Sequence, residues 1–227
     1  MIDNISIVIP VREGSSRIEN KIFLPFEDGL NLLEWKIEQV KKIQASERIF
    51  LSSNSQKVKS TAERLGVGFI ERSDYLCTGH DASFSEVITG VVKNLSTEHF
   101  AWVTVVVPLM KPTEYKEAFE LYIKNVIDEK ANDSLVSVNL LKEYFWSDTG
   151  PLNYEANKNH TISQNLPNLY RVTNGLYMRN VRDTLKDKYF LGKNPVKHIV
   201  PKISGIDIDE YEDYKFALSL KGQYSHD

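Results

Sequence analysis

Apolar positions along the chain form two kinds of run. Short blocks without polar alternation are separated by stretches in which apolar residues recur every three or four positions. Residues 5–10 (ISIVIP) are the first block. Its β-branched residues fall on both parities, which predicts a strand buried on both faces, as in the middle of a parallel sheet. Leu33, Trp35, Ile37, Val40 and Ile43 then follow a helical pattern. Residues 48–55 (RIFLSSNS) predict a second strand running into a polar loop, residues 58–65 a short helix stopped by Gly66, and residues 67–72 (VGFIER) a third strand. The most regular helix covers residues 84–95, where Phe84, Val87, Ile88, Val91, Val92 and Leu95 make one continuous stripe. Ser83 fits its N-cap, with Glu86 closing a capping box. Residues 102–108 (WVTVVVP) predict a fourth strand, 113–130 a long helix and 134–140 (SLVSVNL) a fifth strand. Strand character returns at 175–180 (GLYMRN) and 203–209 (ISGIDID), and a last helix covers 210–220.

Between these units the segment at about 141–174 is polar, dotted with aromatics and weakly periodic, so it reads as an annex inserted into a single domain. The strand–helix alternation predicts an α/β fold, a mostly parallel central sheet with helices on both faces. Ligands of such sheets bind at the carboxyl ends of the strands.

Composition removes several alternatives. The chain has 227 residues, 41% of them hydrophobic, which suffices for one substantial core. Its formal net charge is −3 and its basic residues are dispersed, so no nucleic-acid partner is expected. The longest apolar run, 103–110, contains Thr104 and Pro108 and is far short of the ~20 residues that cross a bilayer. The N-terminal MIDNISIVIP has neither a basic n-region nor a small-residue cleavage site, which predicts a cytoplasmic protein. Cys77 is the single cysteine, so neither an intrachain disulfide nor a cysteine metal site is expected.

Two stretches carry chemistry. The first, VIPVREGSSRIENK (residues 8–21), leaves a buried strand and at once sets out cations, small residues and hydroxyls. Gly14 and Ser15 allow backbone N–H groups to turn toward an anion. Arg12 can fork onto phosphate oxygens and Lys21 adds a mobile point charge. No G-x-x-x-x-G-K-[ST] pattern is present, so this is not a P-loop. A solvated surface turn accounts for the same composition equally well. The second stretch is GIDIDEYEDYKFA (residues 205–217). On an extended segment Asp207 and Asp209 share one face, and paired carboxylates at a strand end suit Mg²⁺, which shares its shell with substrate phosphates. Asp209 with Glu212 also reads as a capping box for the last helix.

VIPVREGSSRIENK, ERSDYL, SQNLPNLYRVTNGLYM and GIDIDEYEDYKFA occur in an order and spacing that resembles the acylneuraminate cytidylyltransferases, the CMP-sialic acid synthetase family, from about Ser6 to Ala217. The opening loop is also similar to that of the sister CMP-KDO synthetases. The resemblance implies a Rossmann-like nucleotidyltransferase fold in which the anomeric hydroxyl of an α-keto sugar acid attacks the α-phosphate of CTP and pyrophosphate leaves. It implies a triphosphate cradle of Arg12, Gly14, Ser15, Arg17 and Lys21, with Arg72 and Ser83 completing the nucleotide site. It implies Mg²⁺ on Asp207 and Asp209, a sugar side lined by Gln164, Asn174 and Tyr177, and catalytic roles for Arg12, Lys21 and Asp209. The annex would serve dimerisation, giving a homodimer. Other readings on this fold are a KDO-type or other nucleotide specificity and a non-catalytic nucleotide-binding relative.

The chain departs from the family pattern in places. The loop lysine is Ser16, the loop proline Glu19 and the following asparagine Ile22. Val107 stands where the family has a ligand-contacting glutamine, with Lys111 a nearby cation. The arginine before Gln164 is Ser163, for which Arg171 is the nearest substitute, and the covering loop reads GHDAS at 79–83, with His80 in it. These changes cluster on the base and sugar sides, which implies an altered sugar. His99, His160, His198 and His226 have no spacing for zinc or a triad. Tyr144, Phe145 and Trp146 fit core or interface packing.

Overall fold

A computed structural model describes residues 2–14, 17–79 and 81–223. Ser15, Ser16, His80 and His226 lie outside the described residues. The strands are β1 (Ile5–Pro10), β2 (Pro25–Glu27), β3 (Leu30–Asn31), β4 (Ile49–Ser53), β5 (Gly68–Glu71), β6 (His99–Val103), β7 (Ser134–Leu141), β8 (Trp146–Ser147), β9 (Gly150–Pro151), β10 (Leu169–Asn180) and β11 (Pro195–Ile199). The helices are α1 (Leu32–Lys41), α2 (Gln56–Leu65), α3 (Phe84–Val92), α4 (Pro112–Tyr122), α5 (Val181–Asp187) and α6 (Tyr211–Leu220).

Seven strands form one sheet in the order β11-β7-β10-β6-β1-β4-β5. Its pairings are parallel except those of β10, which runs antiparallel to both neighbours, β6 and β7. β1 shows why a central strand needs apolar residues on both parities. Ile5, Ile7 and Ile9 enter the core formed with α1, α2, α4 and α6, whereas Val8 enters the opposite core, with α3, Phe100 and Trp102. Helices therefore cover both faces, as the alternation predicts. α3 starts as its sequence dictates: Ser83 Oγ accepts from the Glu86 N–H, and the Glu86 carboxylate accepts from the Ser83 N–H at 2.8 Å. Gly66 ends α2 in the left-handed region at φ 67°.

Three strand readings need correction. The fourth strand is His99–Val103, not 102–108. Residues 104–110 are a buried loop, because side chains of α1 take the carbonyls that a neighbouring strand would have bonded. Lys36 Nζ donates to Val107 O at 2.8 Å, Trp35 Nε1 and Gln39 Nε2 donate to Pro108 O at 2.9 Å, and Gln39 Nε2 also reaches Met110 O at 3.1 Å. Next, residues 203–209 are not a strand: Ile203–Gly205 is a 3-10 turn and Ile208 N–H makes one bond to Val106 O at 2.8 Å. The strand in this region is β11, whose PVKHI carries a proline and two basic-type residues that mask its apolar pattern. Finally, β10 begins at Leu169, so the last six residues of the segment read as annex are ladder residues. A hairpin of β8 and β9 and a short turn at Ser163–Asn165 make up the rest. Among the described residues no helix is long and apolar enough to cross a membrane.

The loop clamp contains a fully buried lysine. Lys36 also donates to Tyr115 Oη at 2.8 Å, and desolvation pushes its pKa down to about 7. A folded-state pKa below the unfolded 10.5 makes the unfolded chain the better proton binder in that window, so stability rises with pH between the two values. Urea midpoints of the wild type should therefore climb relative to Lys36→Met from about pH 7 to about pH 9. A constant difference between the two proteins across that range would show that Lys36 keeps its proton.

Candidate active site

The site is assembled where parallel strands end. β1 opens into the loop at 11–20, β5 into the loop at 72–83, and β6 into the buried loop at 104–110. β10 reaches this end from the other direction. Its register places Leu176 opposite Val103, so Asn174 and Gly175 lie just past the carboxyl end of β6. There Thr104 Oγ1 donates to Asn174 O at 2.8 Å.

One cluster joins six of the residues named from sequence. Arg17 Nη2 donates to Asp209 Oδ1 at 2.6 Å. Lys21 Nζ donates to Ile208 O at 2.5 Å and stands 4.0 Å from Asp209 Oδ1. Asn174 Nδ2 donates to Asp207 Oδ2 at 3.0 Å, and Tyr177 Oη donates to Asn174 Oδ1 at 2.7 Å. The remaining carboxylate oxygen, Asp207 Oδ1, is buried and meets no hydrogen-bond donor among the described residues. Burial raises the Asp207 pKa, opposed by the Asn174 bond, and Asp209 adds to the rise. Burial lowers the Lys21 pKa, opposed by Asp209 and Asp207. Burial, with the Tyr189 and Asp207 charges, raises the Tyr177 phenol well above its usual range, so it remains a donor.

Arg12 lies against the loop that follows β5. Its Nη1 donates to Thr78 O at 3.1 Å, and the guanidinium fills the space where a Cβ on Gly79 would sit, 1.7 Å from Nη1. Gly79 also has φ +79°, so backbone conformation and packing both call for glycine there. Gly14 turns the opening loop at φ +82° with open space around its Cα. Arg72 is buried rather than presented to solvent: Nη2 bonds Val11 O, Nη1 reaches Leu76 O at 3.5 Å, and Nε has no partner among the described residues. It braces the two loops that flank the site. Glu13 is held by the hydroxyl of Ser55, which caps α2.

Other residues singled out from sequence sit differently. Ser83 Oγ is engaged with Glu86, donating to its carboxylate at 2.7 Å. Gln164 is exposed, its Oε1 accepting from Ser163 Oγ at 3.4 Å, and no hydrogen bond among the described residues ties it to the Asp207 cluster. Val107 is fully buried and faces no ligand space; its carbonyl belongs to Lys36. Arg171 is spent on Asn139 Oδ1 at 2.6 Å and Gly205 O at 3.1 Å. The capping box at α6 uses Asp213 rather than Asp209 with Glu212: Asp213 Oδ2 accepts from the N–H of Asp209 at 3.0 Å and of Glu210 at 2.8 Å. That leaves both carboxylates of the D-x-D pair facing the cluster.

Two features were not read from sequence. Thr104 carries a hydroxyl just past the end of β6, a position that the shifted strand boundary hid. An aromatic group flanks Tyr177: Phe190 lies 4.0 Å from it, with Tyr189 and Phe84 each 4.9 Å from Phe190. The YF pair before Leu191 and Gly192 is its only trace in the sequence. A cavity of about 900 Å³ lined by His99, Lys130, Asp133 and Arg182 lies at the opposite end of the strands, away from these groups.

Two carboxylates with hard oxygen donors fit Mg²⁺, which keeps water and phosphate in the rest of its shell. The bare Asp207 Oδ1 supports that fit, since a buried carboxylate oxygen without a donor is costly unless a cation meets it. No group of three His, Cys, Asp or Glu residues among those described could hold a metal by itself.

Known proteins match this architecture. The chain is 25% identical over 220 residues to the N-acylneuraminate cytidylyltransferase of Escherichia coli O18:K1:H7 (strain RS218 / NMEC), covering 94% of this chain and 51% of that protein. It is 31% identical over 91 residues to the 3-deoxy-manno-octulosonate cytidylyltransferase of Bdellovibrio bacteriovorus, covering 39% of this chain and 36% of that protein. The chain thus spans about half the length, or less, of these curated relatives. Among solved structures, a CMP:2-keto-3-deoxy-manno-octonic acid synthetase complexed with CTP superposes with a TM-score of 0.68 at 14% identity, over 96% of this chain and 98% of the other. A 4-diphosphocytidyl-2C-methyl-D-erythritol synthase from Anaerococcus prevotii gives 0.63 at 14% identity, over 97% and 98%. These likenesses establish the Rossmann-like nucleotidyltransferase fold. A family model described as cytidylyltransferase matches residues 6–213, every element of the site among them, and the chain belongs to that family.

Proposed function

We propose that this chain transfers CMP from CTP to the anomeric hydroxyl of a nonulosonate-type α-keto sugar acid, with Mg²⁺ as cofactor. The observation that carries the reading is the cluster at the strand ends: two cations, Arg17 and Lys21, against two carboxylates, one with an unpartnered oxygen. In the reaction the anomeric oxygen forms a bond to the α-phosphorus as its proton passes to water. The bond from that phosphorus to the bridging oxygen breaks, and its electron pair leaves with pyrophosphate. Mg²⁺, when bound by Asp207 and Asp209, would offset charge on the phosphate oxygens.

The residues of the chain then have distinct tasks. Arg12, at the mouth of β1, and Lys21 counter the triphosphate, and their fixed positions stabilise charge as it moves toward the leaving group. Gly14 frees backbone N–H groups in the loop to turn toward phosphate. Arg72 keeps the opening loop and the covering loop in register without itself reaching solvent. Arg17 pairs with Asp209, which balances a carboxylate pair that would otherwise repel. The sugar acid would lie toward Tyr177, with its aromatic neighbours, and Gln164 would need to approach from the annex.

The near-complete alignment with the acylneuraminate enzyme supports the nonulosonate acid. The higher local identity to the 3-deoxy-manno-octulosonate enzyme supports the KDO-type acid as a second reading. A homodimer would cover apolar side chains left exposed on the annex side of the sheet, Trp146, Leu152, Ile162, Val172 and Ile199. Use of CTP as donor accords with a cytoplasmic enzyme.

Pyrophosphate release tests the reading directly. With CTP and Mg²⁺, release is expected with a sialic, legionaminic or pseudaminic acid and not with UTP, GTP or ATP. Release with KDO alone would select the second reading. Tight CTP binding without release from any acid would point to a non-catalytic relative. In Asp207→Asn the expected outcome is loss of turnover by at least about a hundredfold with the melting temperature retained, as for an electrostatic group acting on the transition state. Wild-type turnover in that variant would leave the D-x-D pair a packing feature.

A further inference from the structure

We infer that Asn174 is a positioning residue for Asp207, an amide splint that turns the bare carboxylate oxygen into the site, rather than a contact to the sugar. The inference rests on the metal reading above and concerns how the chain prepares that carboxylate.

Both ends of the Asn174 amide are already used. Oδ1 accepts from Tyr177 Oη at 2.7 Å and Nδ2 donates to Asp207 Oδ2 at 3.0 Å. The order is forced by chemistry. An ionised carboxylate only accepts, so the amide nitrogen faces Asp207, and the phenol O–H then donates to the amide oxygen. Tyr177 is itself fixed, buried to 6% exposure and packed at 4.0 Å against Phe190. The backbone of Asn174 is pinned as well, its carbonyl accepting from Thr104 Oγ1 at 2.8 Å. A rigid chain thus runs from the aromatic core through Tyr177 and Asn174 to one oxygen of Asp207. The other oxygen is left buried with no donor among the described residues.

The backbone carries the same message. Asn174 sits at φ +59°, where the ladder slips register between Val172 and Tyr177. Asparagine is one of the few non-glycine residues that tolerate that region. Glycine is the neighbour instead, and for a packing reason: a Cβ on Gly175 would stand 3.2 Å from Val107 and 3.3 Å from Met110. An asparagine at this position meets the backbone conformation and also supplies the amide that bridges Tyr177 and Asp207. Without the splint, rotation of the Asp207 carboxylate would cost little, and either oxygen could swing toward Lys21.

Mn²⁺ titration followed by electron paramagnetic resonance, on the full chain, tests this without relying on turnover. The variants are Asp207→Asn, Asn174→Gly, which suits the positive φ, and Tyr177→Phe, which keeps the ring and removes only the anchor of the amide. The wild type should bind Mn²⁺ and Asp207→Asn should lose that binding. Asn174→Gly should bind roughly tenfold more weakly with an unchanged melting temperature, in line with outer-shell partners of metal ligands, and Tyr177→Phe should weaken in the same direction by a smaller factor. Wild-type Mn²⁺ affinity in both Asn174→Gly and Tyr177→Phe, with binding lost in Asp207→Asn, would overturn the splint and leave the metal reading intact. Equal Mn²⁺ affinity of the wild type and Asp207→Asn would overturn the metal reading itself. Should Asn174→Gly fail to fold, unchanged affinity in Tyr177→Phe decides against the splint.

Discussion

Lys21 and the carbonyl of Ile208 meet at 2.5 Å across 187 residues of sequence. With the Arg17–Asp209 pair beside it, this contact closes the opening loop against the segment that carries the two carboxylates. Everything chemical in the site depends on that closure. The loop after β1 has few apolar residues of its own, and the segment at 206–209 has no ladder to hold it. Their opposite charges, brought to adjacent strand ends by the sheet order, give each a fixed partner. The same pairing keeps a two-carboxylate, two-cation cluster nearly neutral.

The sheet supplies the positions and the loops supply the chemistry. β10, which runs antiparallel to its neighbours in the central sheet, is what brings Asn174 and Tyr177 to an end of the sheet otherwise built from parallel strand exits. The clamp from α1 does similar work beneath the site. By bonding the carbonyls of Val107, Pro108 and Met110 with side chains, it lets a continuous apolar run turn away as a buried loop instead of extending β6. Thr104 is then left at the strand end, with its hydroxyl on β10. A buried lysine is a costly way to hold a loop, and its two acceptors, a carbonyl and a phenol, are what make it tolerable.

Most of this was legible in the sequence where local physics decides the outcome. Residues 5–10 are apolar on both parities and became the central strand. Ser83 and Glu86 cap α3 as their spacing dictates. Lys21, Asp207 and Asp209, read from the residues themselves, converge in one cluster with Arg17, Asn174 and Tyr177, which only the family resemblance had pointed to. What was not legible depends on partners remote in sequence. The run 102–108 looks like a strand because its composition cannot reveal that α1 will take its carbonyls. Residues 203–209 alternate like a strand but join no ladder; among the described residues their one backbone–backbone bond to a distant segment is Ile208 N–H to Val106 O. β11 stayed hidden because an edge strand needs less apolar patterning. Arg72 was read as a ligand contact, yet its guanidinium is consumed by the carbonyls of Val11 and Leu76. Asp213 rather than Glu212 closes the α6 cap because the N-cap is Glu210, one residue later than Asp209, so the residue three positions on is Asp213.

The most direct test of the central claim, that this cluster is built for a nucleoside triphosphate carried with a divalent cation, is calorimetric titration of CTP in the presence and absence of Mg²⁺. The account predicts CTP binding that tightens by at least about tenfold, or some 1.4 kcal/mol, when Mg²⁺ is added. Equal affinity with and without Mg²⁺ would contradict it, because the carboxylate pair would then take no part in holding the nucleotide.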